Sequence, residues 1–161
     1  MTGGWYKFLL VCHILAAIFG FGAVVLNGIY GAESKKRQGA EGLAITEANH
    51  RVSNVGEYFI YAVPIFGILM VLASHHVWKF SQTWVWLALL LWFAFVGLVH
   101  GVHRPNLRRL DELVRSGGAE VAEVAEMERR ERLASTMGAV MSVLVLAALV
   151  LMVFKPGAPG S

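Results

Sequence analysis

Four stretches of this chain, Phe8 to Tyr30, Tyr58 to Ser74, Phe80 to Val99 and Leu133 to Phe154, contain no Lys, Arg, Asp or Glu. Each is 17 to 23 residues long, and a helix rising about 1.5 Å per residue needs roughly 20 residues to cross a hydrocarbon core of about 30 Å. Backbone in lipid must satisfy its own hydrogen bonds, so runs this long that do not alternate read as helices. The expected fold is all-α: a four-transmembrane-helix bundle forming one integral membrane domain over residues 1–161, with spans at about 8–30, 55–74, 80–102 and 133–154. The lipid bilayer is its first partner.

Composition supports this. A hydrophobic fraction of 57% and a mean hydropathy of +0.58 exceed what a soluble domain of this length can bury. The single cysteine, Cys12, lies inside the first span with nothing in the chain to pair with, and reads as a small packing residue. The first apolar run is longer than the hydrophobic part of a secretory signal, and only Lys7 precedes it as a basic residue, so a retained span is expected.

Basic residues set the expected orientation. Of the 14 Lys and Arg, 11 lie in the first and third connections: Lys35, Lys36, Arg37, Arg51, Arg104, Arg108, Arg109, Arg115, Arg129, Arg130 and Arg132. Positive charge resists translocation, so loops 31–54 and 103–132 are expected in the cytoplasm and both termini outside the plasma membrane. Trp5, Tyr6, Trp78, Trp84 and Trp86 then lie near the outer interface, where an aromatic ring can be half wet. The pI near 9.2 follows from this bias and does not indicate nucleic acid. Residues 104–132 hold seven Arg against seven acidic residues, which gives no net field to attract a phosphate backbone. Lys35, Lys36 and Arg37 read either as an anchor to anionic lipid or as a solvated loop.

The third connection has a pattern of its own. Pro105 is expected to break the third span and open a new helix, on which Leu107, Leu110, Leu113 and Val114 recur at helical spacing. Gly117 and Gly118 turn the chain, and from Ala119 a second helix runs into the fourth span with Glu126–Arg130 and Glu128–Arg132 pairs at i, i+4. The result is a short cytoplasmic helical hairpin at 105–132 between helices 3 and 4. Its apolar stripe either docks a protein or closes on itself.

Small residues mark expected helix contacts: Ala16 and Gly20, Gly97 and Gly101, and Gly138 with Ser142. They suit contacts inside one bundle and equally a homo-oligomer or a larger membrane complex. Pro64 is expected to kink the second span.

Polar groups at depth are costly unless paired or useful. Measured from span midpoints, His13 lies about 9 Å to the outer side and Met70 about 6 to 8 Å to the same side. An imidazole and a thioether at one depth can supply two axial ligands to a haem iron, which makes haem b the candidate cofactor. In the alternative, His13 bonds to a neighbouring helix and Met70 fills a gap. Asn27, Glu57, Tyr61, His100 and His103 form a second layer toward the cytoplasm. His100 and His103 share a helix face and, with Glu57 or His50, have spacing for a metal; the alternative is a polar network in which His100 satisfies Glu57. His13 and His100 are separated along the normal by roughly 23 Å, too far to share one iron. The chain shows no constellation of nucleophile, base and acid, no Gly-rich phosphate loop and no Cys cluster, which disfavours hydrolytic and nucleotide-dependent chemistry.

The opening KFLLVCHILAAIFGFGAVV, the loop pattern RPNLRRL and the closing LVLMVFKPG resemble the bacterial predicted integral membrane proteins grouped as a domain of unknown function, which are four-span proteins of similar size. The resemblance covers nearly the whole chain. More distantly, through Lys7 and His13 alone, the chain is similar to four-helix membrane proteins of the copper-resistance and protoporphyrinogen-oxidase kind, which implies haem-linked chemistry at His13. Two functions are therefore expected from the sequence: a non-enzymatic structural or accessory membrane component, or a b-type haem protein for electron transfer or oxidation centred on His13.

Overall fold

The computed structural model describes residues 3–37, 40–115 and 121–158, and at residues 35, 114 and 115 the backbone alone. Among the described residues the chain is helical almost throughout. Helix α1 spans Gly4–Lys36, α2 Ala40–Ala73, α3 Thr83–Leu98, α4 Arg104–Arg115 and α5 Val121–Phe154, with a π-helical turn at Val99–His103 between α3 and α4. Among the described residues, four helical segments are long and apolar enough to cross a membrane: Gly4–Ser34, Ala40–Ala73, Thr83–Leu113 and Val121–Phe154.

The helices run past the apolar runs that define them. α1 continues to Lys36, and α2 begins at Ala40, well before the apolar run opens at Tyr58. Charged residues do not oppose a helix once it leaves hydrocarbon, and pairs such as Arg37–Glu33 at 3.0 Å support the extension.

Pro105 does not break the chain out of helix. Its missing N–H and its ring disturb the bond to the fourth preceding carbonyl, and just ahead of it the backbone slips to the wider spacing, with the Arg104 N–H reaching Val99 O. A π turn absorbs the proline, and α4 proceeds from Arg104. The expected turn at Gly117 and Gly118 lies outside the described residues.

The chain divides into two compact units, residues 1–89 with 150–161 and residues 90–149. In the first, α1 and α2 are closely apposed and antiparallel. Small residues permit this: a Cβ on Gly20 would meet the backbone of Ile60 and Phe59, and one on Gly56 would collide with Ala23. Ala16 and Ala23 are buried in the same seam. Among the described residues, nothing lies within 4 Å of a Cβ added at Gly97, Gly101 or Gly138. Phe8, Ile18, Phe19, Ile29, Leu72, Phe93, Leu146 and Val153 are exposed. So much apolar surface suits a helix in lipid and not one in water.

Candidate functional site

The α1–α2 seam positions the one histidine of α1. His13 Nδ1 donates a hydrogen bond to the Val63 carbonyl at 2.9 Å, so in the neutral ring the proton sits on Nδ1 and Nε2 keeps its lone pair. The acceptor is backbone of the residue just before Pro64, and the space for the ring comes from Gly67, whose added Cβ would lie 3.3 Å from His13 Cε1. Three features fix the imidazole: a close helix pair, a carbonyl and a missing side chain.

Met70 stands three residues beyond Gly67 on α2, an axial step of about 4.5 Å toward the helix's C-terminal end. The structure brings His13 directly to Val63 and Gly67, with Met70 about one turn farther along the helix against which the imidazole is braced.

The second polar layer expected from the sequence contains short pairs. Ser53 Oγ lies 2.9 Å from Asn27 Oδ1 and 2.8 Å from the Asn49 carbonyl. Tyr61 OH donates to Glu57 Oε1 at 2.9 Å, one turn apart on the same helix. Depth alone groups Tyr61 with this layer; its i, i+4 relation to Glu57 is the signal that makes it a donor to that carboxyl. His100 and His103 lie in the π turn, where His103 Nδ1 is buried without a hydrogen-bond partner among the described residues. Among the described residues no three His, Cys, Asp or Glu side chains gather where they could hold a metal ion.

At the opposite end of the first unit, aromatic residues tie the chain's two ends together. Trp78 Nε1 donates to Tyr6 OH at 2.8 Å, Trp84 meets Trp78 edge to face at 5.3 Å, and Lys155 Nζ sits 4.6 Å above the Trp78 ring. The aromatic pattern of the sequence places these rings at one interface, but nothing in it marks Lys155 as their cation. Beside them α2 stops at Ala73, and His75 and His76 occupy the left-handed region at φ 50° and 71°. They belong to a turn and not to a helix. Ser74 organises it, donating through Oγ to the Val71 carbonyl at 2.7 Å and accepting from the Trp78 N–H at 3.0 Å.

Across residues 7–156 the sequence matches the family described as "Predicted integral membrane protein (DUF2269)". The chain belongs to that family. The match takes in all four apolar helices nearly entire, and it carries no activity with it. No curated protein and no solved structure matches the chain.

In the second unit of this DUF2269 chain, sequence reasoning misses Asn106, which it reads only as a letter in RPNLRRL. The residue is 3% exposed. Its Nδ2 donates to the Arg130 carbonyl at 2.8 Å, and its Oδ1 accepts from Arg130 Nη1 at 3.4 Å. Arg130 in turn grips Glu126 at 2.7 Å. The hydrogen bond from Arg130, with the Arg129 charge beside it, holds the Glu126 carboxyl below its ordinary range. Glu126 lies before the apolar run begins at Leu133, in the charged first part of α5.

Proposed function

We propose that this integral membrane protein is a structural or accessory component of the plasma membrane, acting through assembly and not through turnover of a substrate. The observation supporting this reading is how its deep polar groups are used. His13 bonds to the Val63 backbone, Ser53 to Asn27 and Tyr61 to Glu57, so each stabilises a helix or a helix pair. The open faces at Gly97, Gly101 and Gly138 admit a second copy or another membrane protein at close range. Both termini lie outside in this reading, with the first and third connections in the cytoplasm, following the distribution of Lys and Arg. Extraction in mild detergent followed by light scattering and a visible spectrum tests it. The expected result is an assembly larger than the 17.7 kDa chain without a Soret band; a monomer carrying a Soret band would overturn it.

One observation favours a second reading, a b-type haem protein. A histidine that ligates a metal through one nitrogen is usually held through the other by a carbonyl or carboxylate, and His13 Nδ1 has that bond. The residues present fit one imidazole ligand, and Met70 would be the candidate for a second. Haem bound there would supply one-electron transfer; the chain itself orients the ring through Val63 and Gly67.

A further inference from the structure

Between α4 and α5 lies a crevice of about 280 Å³ lined by Asn106, Arg129, Arg130 and Leu133. It lies where the charged part of α5 gives way to its apolar run, so one wall is guanidinium and the other is a leucine that begins the membrane span. We propose that this crevice binds the phosphate of an anionic phospholipid, with Arg129 as the contacting cation, Arg130 and Asn106 as its frame and Leu133 against the start of the acyl chains.

Charge is uneven here although the connection as a whole balances. Arg109 is matched by Glu112 at 2.9 Å and Arg132 by Glu128 at 3.2 Å. At the crevice two guanidiniums share one carboxylate: Glu126 Oε2 meets Arg129 at 3.2 Å and Oε1 meets Arg130 at 2.7 Å. Within this trio of Arg129, Arg130 and Glu126 the positive charges exceed the negative by one. The two arginines differ in freedom. Arg130 is 22% exposed in its side chain and held by both Glu126 and Asn106, so it is a fixed wall; Arg129 is 76% exposed and touches Glu126 through Nη2 alone. A guanidinium carries five N–H donors, so Arg129 retains donors for an oxyanion, in the fork geometry suited to phosphate.

Size and position select among phosphates. The volume is at the lower end for small-molecule sites and suits a headgroup whose chains lie outside along the span. Basic pockets at the ends of membrane helices commonly hold anionic headgroups. A free phosphate shares the charge but gains nothing from Leu133.

Native mass spectrometry of the full chain in detergent, titrated with phosphatidylglycerol, tests the site. Arg129→Gln should weaken binding roughly fivefold, the scale of one basic residue at an anionic surface. The matched control is Arg108→Gln, which removes the same charge from an exposed position on α4 two residues from Asn106; it should leave binding within about twofold. Arg129→Lys keeps the charge without the fork and should fall between wild type and Arg129→Gln. Inorganic phosphate at millimolar concentration should not displace the lipid, and phosphatidylcholine should bind more weakly. Equal losses in Arg129→Gln and Arg108→Gln would overturn the site, as would equal affinity for phosphatidylcholine; displacement by inorganic phosphate would show a free-anion site and overturn the lipid assignment. All variants should keep the wild-type melting temperature, since neither Arg129 nor Arg108 is buried.

Discussion

His13 Nδ1 lies 2.9 Å from the carbonyl oxygen of Val63, which joins the one imidazole of α1 to the backbone of α2 fifty residues away. The bond costs α2 none of its helical continuity, because a carbonyl oxygen has a second lone pair. It also gives the ring one orientation. His13 is thereby a strut between two helices and, in the haem reading, an aligned ligand.

Gly67 should matter because of that ring. A Cβ there sits 3.3 Å from His13 Cε1, so Gly67→Val should push the imidazole off the Val63 carbonyl and lower stability by about 1 to 3 kcal/mol, the usual cost of overpacking. With His13→Ala already in place, the same valine should cost less than half as much. A double-mutant cycle in detergent melting measures the difference; additive losses would show that the two residues do not compete for space.

Glycines in this chain should divide sharply by position. Gly56→Leu drives a side chain into Ala23 across the α1–α2 seam and should destabilise by about 2 kcal/mol or more. Gly97→Leu, with nothing among the described residues within 4 Å of its Cβ, should leave the isolated chain within about 0.5 kcal/mol of wild type. Thermal unfolding in the same detergent reads both. If Gly97→Leu also shifts the protein to a smaller assembly, the open face is used between copies.

The contrast between these glycines shows what the sequence could tell. Apolar runs are a property of composition, so the four long helices were legible from residue types alone. Ala16 and Gly20 announced a close contact, and α2 does pack there, but Gly97 and Gly101 carried the same signature and, among the described residues, have nothing within 4 Å of an added Cβ. A small residue permits an approach without naming the partner. His13 and Asn106 bond to backbone carbonyls, which bear no residue identity, and so their partners Val63 and Arg130 could not be read from the chain. The π turn before Pro105 was also hidden, since a missing N–H can be met either by leaving the helix or by widening it.

The 11-to-3 division of basic residues predicts an orientation with both termini outside. In a Cys12→Ala background, cysteine placed at Glu47 or Asp111 should resist an impermeant thiol reagent in intact cells, whereas cysteine at Ser81 should react. All three positions are exposed, so accessibility within the protein does not bias the result. The reverse labelling pattern would invert the topology.

Haem binding, if it occurs at the α1–α2 seam, should depend unequally on the two candidate ligands. The imidazole is the stronger anchor, while a thioether mainly raises the reduction potential. After expression with ample haem, His13→Ala should abolish the Soret band. Met70→Leu, close in volume and still apolar, should retain haem with a changed spin state and a shifted potential. Gly67→Val should act like a weaker His13→Ala, because it disturbs the orientation of the ring and leaves its chemistry intact. His100→Ala should leave the spectrum as it was, since the span midpoints in the sequence set His100 roughly 23 Å from His13 along the membrane normal. A wild-type protein without any Soret band under these conditions would leave His13 as a strut between α1 and α2, and the melting experiments on Gly67 would then describe its whole role.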